Sequence, residues 1–186
     1  MKIGLLGIGQ IQSTILKDTS YGLVQTFPDS SCEVIDGMLA LPEPAYDKKR
    51  RQYNSTFTLN NIREFANHRT DYNRILGIID EDLYSSELNY VFGEAYLSGN
   101  AGLISLCRLK PEFYGEKPDS RIFQLRTLKE AIHELGHTLN LQHCPRSYCV
   151  MHFSNSIFEV DKKQNLFCDQ CYLNASLAII QIGHKV

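Results

Sequence analysis

The 186-residue sequence predicts an α/β fold, in which a twisted mixed sheet is backed by helices. Two near-continuous apolar runs, at 2–8 and 74–80, have the composition of strands that are buried on both faces. Around them, apolar residues recur at helical spacing. Because 43% of the residues are apolar, a chain of this length can bury the core of one compact domain.

Strands and helices are predicted to alternate in the first half of the chain. The buried strand at 2–8 is followed by a helix over 10–26 and a short strand at 32–36. A second helix is indicated by one apolar side, made of Leu59, Ile62, Phe65 and Ala66. It leads into the central strand at 74–80. The proline-stiffened stretch 41–55 is either a substrate-side element or an ordinary surface connection.

The second half is predicted to be less regular. Further strands are expected at 90–96 and 103–109, and the sequence leaves open whether the first is an edge strand or a covered one. Cys32 and Cys107 fall within apolar strand runs and are expected to be core residues. Residues 110–126 are expected to form a loop, and a closing helix is expected from Tyr172.

A helix is predicted between these last two segments. Thr127 and Glu130 have the spacing of a capping box, which predicts a start near Leu128. Asn140 is expected to end the helix, because Asn tolerates the left-handed conformation that follows many helices.

Three histidines and a glutamate on and after this helix form a candidate metal site. His133 and His137 are four residues apart, so they share one helix face and can reach one metal ion together. Glu134 lies one step round, where it suits a general base better than a third ligand. His143 can return after the turn, and three imidazoles leave the open position of a catalytic zinc site. The alternative is scattered histidines on an ordinary amphipathic helix.

Four cysteines follow at metal-like spacing: Cys144, Cys149, Cys168 and Cys171. Four thiolates around one ion form a closed, structural zinc site, and two disulfides are the competing interpretation. A site that begins at Cys144 would also help to hold the neighbouring His143 in place.

The composition argues against several classes of partner. A net charge of −2 gives no electrostatic case for binding nucleic acid or an anionic membrane. The basic run at 48–51 is typical of a solvated face, and no stretch approaches the roughly 20 apolar residues of a membrane span. No secretory signal is visible, and the cysteine pattern presupposes reduced thiols, so a cytoplasmic protein is expected.

The motif His133-Glu134-x-x-His137-x-x-Asn140-x-x-His143 resembles the extended zinc motif of the metzincin peptidases. Gly usually stands at the position of Asn140, and the substitution is expected to preserve the turn at a cost of about 1 kcal/mol. The following HC-x4-C-x-M and C-x-x-C series is similar to that of the archaemetzincins, as are the stretches 41–46, 51–55 and 88–93.

This resemblance implies a zinc metallopeptidase with a metzincin-like fold that acts on peptide or protein substrates. A monomer is expected, although the sequence does not determine the oligomeric state. The resemblance implies one domain over 1–186, with an N-terminal part (1–143) that contains the zinc helix and a C-terminal subdomain (144–186). It implies two zinc ions, a catalytic one on His133, His137 and His143 with Glu134 as catalytic residue, and a structural one on Cys144, Cys149, Cys168 and Cys171. Met151 would form the Met-turn beneath the first metal, and 90–96 would be the edge strand that binds substrate.

One departure from the family pattern leaves other functions open. Some metzincins have a Tyr two residues after this Met that assists the metal, whereas this chain has Phe153. Help in polarising a substrate carbonyl would then have to come from another residue. A zinc-binding module without peptidase activity is therefore the alternative function, and a zinc-ribbon nucleic-acid protein is a further one that the acidic balance disfavours.

Overall fold

The computed structural model describes residues 1–183, which contain eight strands and five α-helices. The strands are β1 (Lys2–Ile8), β2 (Ser31–Leu39), β3 (Tyr46–Asp47), β4 (Gln52–Asn54), β5 (Arg74–Ile79), β6 (Leu83–Tyr84), β7 (Gly93–Ala95) and β8 (Ala101–Ser105). The helices are α1 (Ser13–Thr26), α2 (Ser55–Asn67), α3 (Ser120–Thr138), α4 (Ile157–Lys162) and α5 (Asp169–Gly183).

A five-stranded sheet in the order β2-β1-β5-β8-β7 forms the centre of the molecule. The first four strands are parallel, and β7 is antiparallel to β8 at the edge. The predicted α/β fold with a mixed sheet is therefore confirmed. A smaller sheet, β3-β4-β6, was not predicted and takes two of its strands from the stretch 41–55.

Helices cover both faces of the large sheet, which explains the near-continuous apolar runs. Alternate side chains of a strand point to opposite faces. In β1, Ile3 and Leu5 pack in the core with α1 and α3, whereas Leu6 and Ile8 pack with α2. The predicted strands at 2–8 and 74–80 and the helix over 59–66 are confirmed, with α2 beginning four residues before Leu59.

The start of α3 was predicted wrongly. The helix begins at Ser120, where the carboxylate of Asp119 accepts hydrogen bonds from the backbone N–H groups of Arg121 (2.9 Å) and Ile122 (3.0 Å). The hydroxyl of Thr127 donates to the carbonyl of Phe123 inside the helix, so there is no capping box at this position. The first two turns are mostly exposed and so carry no apolar stripe that would reveal them.

Other differences concern shorter segments. The strand predicted at 103–109 lies at Ala101–Ser105, and Cys107 is in a half-buried 3₁₀ turn instead of the core. Cys32 does lie in a strand, β2, but it is also only half-buried. Helix α4 was not predicted. The closing helix α5 begins three residues before Tyr172 and buries Cys171, Ala175 and Ile179. Across residues 1–183, no helix combines the length and the apolar character needed to cross a membrane.

Candidate active site

The predicted motif begins in the last turns of α3, beneath the sheet. After Thr138 the chain turns sharply, and the backbone N–H groups of Leu139 (3.0 Å) and Leu141 (3.1 Å) both bond to the carbonyl of Gly136. Asn140 has φ 68° in this turn, so its predicted left-handed conformation is confirmed. The turn sends the chain back across the end of the helix towards His143.

The structure brings the three predicted histidines together. One ring nitrogen from each of His133, His137 and His143 lies within 4.8 Å of the others, and the Nε2 atoms of His133 and His137 are 3.1 Å apart. Zinc–nitrogen bonds of about 2.0–2.1 Å in a tetrahedron would separate such nitrogens by about 3.3 Å. These three residues therefore fit a zinc ion.

Backbone carbonyls orient two of the rings. The Nδ1 of His133 bonds to the carbonyl of Val150 (2.8 Å), and the Nδ1 of His137 bonds to the carbonyl of Leu141 (2.7 Å). A carbonyl only accepts, so each Nδ1 carries the proton and each Nε2 keeps its lone pair for a metal. Burial lowers the pKa of His133 and of His137, and it lowers the pKa of His143 to about 4. All three imidazoles are thus neutral near pH 7, as metal binding requires.

Glu134 lies beside the histidines against the edge strand β7. Its carboxylate is buried and sits against Gly93, where an added side chain would meet Oε1 at 2.6 Å. Burial raises the pKa of Glu134 well above its usual value, and the nearby charge of Glu130 raises it further. A carboxylate with a raised pKa in such a site is suited to proton transfer.

A cleft of about 860 Å³ opens in front of these residues. Its lining includes residues 85–95, which contain β7, together with residues of α3 and residues 153–155. Strand β7 is the edge of the sheet, and it occupies only Gly93–Ala95 of the predicted 90–96.

The chain after His143 forms the floor beneath the histidines. Met151 is fully buried and packs directly on Gly136, one residue before His137. Its role as a Met-turn stays a prediction. His152 bonds through Nδ1 to the carbonyl of Cys144 (2.9 Å) and stays outside the cluster. The ring of Phe153 lies 4.8 Å from that of His143 and borders the cleft.

The four predicted cysteines also come together. The sulfurs of Cys144, Cys149, Cys168 and Cys171 lie within 4.8 Å of one another, and no disulfide joins cysteines in the described part of the chain. The Sγ atoms of Cys144 and Cys168 are 3.8 Å apart, and zinc–sulfur bonds of about 2.3 Å in a tetrahedron require about 3.8 Å. Burial opposes ionisation of Cys168, but hydrogen bonds from the backbone of Cys171 and from the other thiols lower its pKa to about 7. The set therefore fits a second zinc ion.

One feature of the cleft was missed on the sequence. Lys163 and Glu130 form a buried ion pair with Nζ 2.9 Å from Oε1, and both residues line the cleft. No helix or strand was predicted at Lys163. The only indication in the sequence was that Glu130 precedes Glu134 by about one helical turn, which places both residues on the same side of the helix.

Comparison with known proteins finds similar sequences and similar structures over most of the chain. The model of peptidase family M54 matches residues 21–176. An archaemetzincin of Methanocaldococcus jannaschii is 42% identical over 171 residues, which cover 92% of this chain and 90% of that protein. The crystal structure of an archaemetzincin from Methanopyrus kandleri has a TM-score of 0.85 at 35% identity, with 97% of this chain and 96% of that one covered. A zinc-dependent peptidase from Methanocorpusculum labreanum has a TM-score of 0.84 at 26% identity, with 93% and 99% covered.

Proposed function

Because this chain belongs to peptidase family M54, the archaemetzincins, we propose that His133, His137 and His143 hold a catalytic zinc ion and that Glu134 is the general base. The chain is a zinc metallopeptidase, and a peptidase acts on peptides or proteins. The observation that supports this residue assignment best is the convergence of three neutral imidazoles beside a buried carboxylate on one wall of a cleft. Family membership favours hydrolysis over a zinc-binding module without activity.

The chemistry divides between the metal and the chain. A bound zinc ion would act as a Lewis acid, which makes a water molecule more acidic and polarises a peptide carbonyl. Glu134 accepts a proton from the attacking water as the new C–O bond forms. It then gives that proton to the amine nitrogen as the C–N bond breaks, so the carboxylate is regenerated. The raised pKa of Glu134 makes its carboxylate a stronger base, which favours the first transfer, from water.

Strand β7 is proposed to align the substrate. An edge strand has one row of unpaired backbone groups, and an extended peptide can add to it as a further strand. Gly93 lies on β7 and directly contacts the carboxylate of Glu134, so a peptide paired with β7 would pass close to the general base. The absence of a side chain at Gly93 makes this approach possible.

We further propose that each chain holds two zinc ions. The second ion would be a structural one on Cys144, Cys149, Cys168 and Cys171, while Met151 supports the histidines by packing alone. The site would stiffen a C-terminal subdomain (144–186) against the N-terminal part (1–143), and it would hold His143 through the adjacent Cys144. A cytoplasmic monomer without nucleic-acid or membrane partners completes the proposal.

Glu134→Gln tests the assignment of the base. This variant should keep its zinc, because the ligands are unchanged, and should lose a factor of about 10²–10⁴ in kcat, because the amide cannot accept the proton. Metal analysis and kcat on a cleaved peptide measure the two effects. Two zinc equivalents should be found in the unaltered protein and one after replacement of the three histidines. Full hydrolysis by purified Glu134→Gln would refute the role of Glu134.

A further inference from the structure

The side chains of the edge strand β7 and of the residue that follows it alternate between two helices. Gly93 lies against Glu134 of α3. Glu94 and Tyr96 contact α2 instead. Successive side chains of a strand point to opposite faces of the sheet, so an extended segment over 93–96 explains this alternation. One face of β7 therefore belongs to the proposed active site, and the other face is attached to α2.

The carboxylate of Glu94 binds the first turn of α2. Its Oε2 accepts from the hydroxyl of Ser55 (2.5 Å), and its Oε1 accepts from the hydroxyl of Thr56 (2.9 Å). These are the first two residues of the helix, where the helix dipole also favours a negative charge. Hydrogen bonds to an ionised group are stronger than those between neutral groups, so this contact attaches β7 firmly to α2.

Tyr96 makes a second attachment further along α2. Its hydroxyl donates to Oδ1 of Asn60 (2.5 Å), and the guanidinium of Arg63 lies 4.5 Å from the centre of its ring. Thr56, Asn60 and Arg63 are separated by four and three residues, so they share one side of the helix. A polar stripe on α2 thus holds the edge strand at two positions.

Strand β7 depends on these attachments because its own pairing is limited. It contains three residues, and in residues 1–183 its neighbour in the sheet is β8 alone. A short strand that is paired on one side opens at a low cost in free energy. A strand that is already held extended binds a peptide with a smaller loss of entropy than one that must first be ordered.

We propose that Glu94 is a positioning residue, which fixes β7 to α2 so that the free edge of the strand is ready to pair with an extended substrate. Glu94 takes no part in making or breaking bonds. The proposal rests on the proposed function, because it takes β7 as the strand that binds substrate. Glu94 also lines the cleft, so direct contact of its charge with a substrate is the competing role, and the test distinguishes the two.

Hydrogen exchange tests the attachment without any substrate. The amide of Tyr96 bonds to the carbonyl of Ala101 in β8 (3.3 Å), so its exchange reports whether the edge is paired. In the zinc-loaded full chain, Glu94→Ala should speed up this exchange about tenfold, because both hydrogen bonds to α2 are lost. Glu94→Gln should stay within about threefold, because a carboxamide can accept from one hydroxyl and donate to the other. Glu64→Ala is the matched control, since it removes an exposed carboxylate of α2 outside the cleft, and it should leave the exchange unchanged.

A double-mutant cycle assigns the effect to the contact with Thr56. Thr56→Val removes the hydroxyl and should speed up the exchange about threefold in the unaltered chain. In the Glu94→Ala chain it should have no further effect, because the partner is already gone. Thr56 suits this test better than Ser55, whose hydroxyl also lies 3.0 Å from the carbonyl oxygen of Tyr84. Because Thr56 is exposed, Thr56→Val should fold even if Glu94→Ala does not.

Steady-state cleavage tests whether the attachment serves substrate binding. The probe is a quenched-fluorescence, alanine-based peptide with capped ends and no charged side chain, so it has no group that the charge of Glu94 would attract. Glu94→Ala should raise KM about tenfold and change kcat less than about threefold, because pairing with β7 binds the substrate and the transition state alike. Glu94→Gln should keep KM within about twofold of the unaltered chain, since its hydrogen bonds hold β7 without the charge.

The outcomes separate the positioning role from the peptidase function. Unchanged exchange in Glu94→Ala, an effect of Thr56→Val that persists in Glu94→Ala, or an unchanged KM would overturn the proposal. A KM that rises equally in Glu94→Gln and Glu94→Ala would overturn it in favour of a role for the charge itself. Faster exchange that Glu94→Gln reverses, in a chain that cleaves neither the capped nor an uncapped peptide, would support the attachment of β7 and refute the peptidase function.

Discussion

Gly93 is the point where the edge strand meets the proposed general base, and Gly93→Ala should separate them. A Cβ atom at this position would lie 2.6 Å from Oε1 of Glu134 and 2.6 Å from the backbone oxygen of Leu103. Ordinary contact begins at about 3.4 Å, so the carboxylate must retreat by about 0.8 Å. The backbone of β8 cannot give way as easily as the side chain, because it is paired in the sheet.

Two effects of different size are expected from this substitution. A catalytic group displaced by about 1 Å costs about 10²-fold in rate, so kcat should fall by about that factor. Overpacking should lower the free energy of unfolding by about 1–3 kcal/mol. Zinc content should not change, since the clash involves Glu134 and Leu103 and not the three histidines.

Steady-state cleavage of a peptide, thermal unfolding and metal analysis measure these three quantities. Gly102→Ala is the matched control on the neighbouring strand, because its Cβ would meet Glu134 only at 3.5 Å and the flexible side chain of Leu76 at 3.2 Å. It should keep kcat within a few-fold. A folded Gly93→Ala protein with unchanged kcat would show that the position of Glu134 against β7 does not matter for catalysis.

Three further predictions concern the turn, the second metal and the pH response. Asn140→Gly should raise the free energy of unfolding, measured by urea denaturation, by up to about 1 kcal/mol, because Gly adopts φ 68° without strain. A decrease in this free energy would contradict the prediction. Cys168→Ser should remove one zinc equivalent by metal analysis and destabilise the protein by several kcal/mol, whereas retention of both ions would exclude the four-cysteine site. In the Glu134→Gln background, which removes the opposing contribution of the raised Glu134 pKa, the Tm of chelator-treated protein should fall as the pH drops from 6.5 towards about 4, since unfolded imidazoles bind protons that the folded ones, with their lowered pKa, do not. Replacing the three histidines by Phe should flatten that profile, and an already flat profile in the parent would refute the shift.

The shortest strands were not predicted from the sequence. Strands β3 and β6 contain two residues each, and β4 contains three, too few to display a period of two. They exist because of pairing with distant segments, such as Tyr53 with Leu83. The first turns of α3 were missed for a related reason. They are mostly exposed, and their cap at Asp119 was less conspicuous than the capping-box spacing of Thr127 and Glu130.

By itself, the sequence determined which histidines and cysteines come together. The period of the helix places His133 and His137 on one face, and the left-handed turn at Asn140 returns His143 to them, so local geometry suffices. Only the tertiary structure decided what surrounds that cluster. Glu130 meets Lys163, and Glu134 meets Gly93, across sequence separations of more than 30 residues, and no local periodicity records such contacts. They arise from the packing of α4 and β7 against α3, which depends on the whole core.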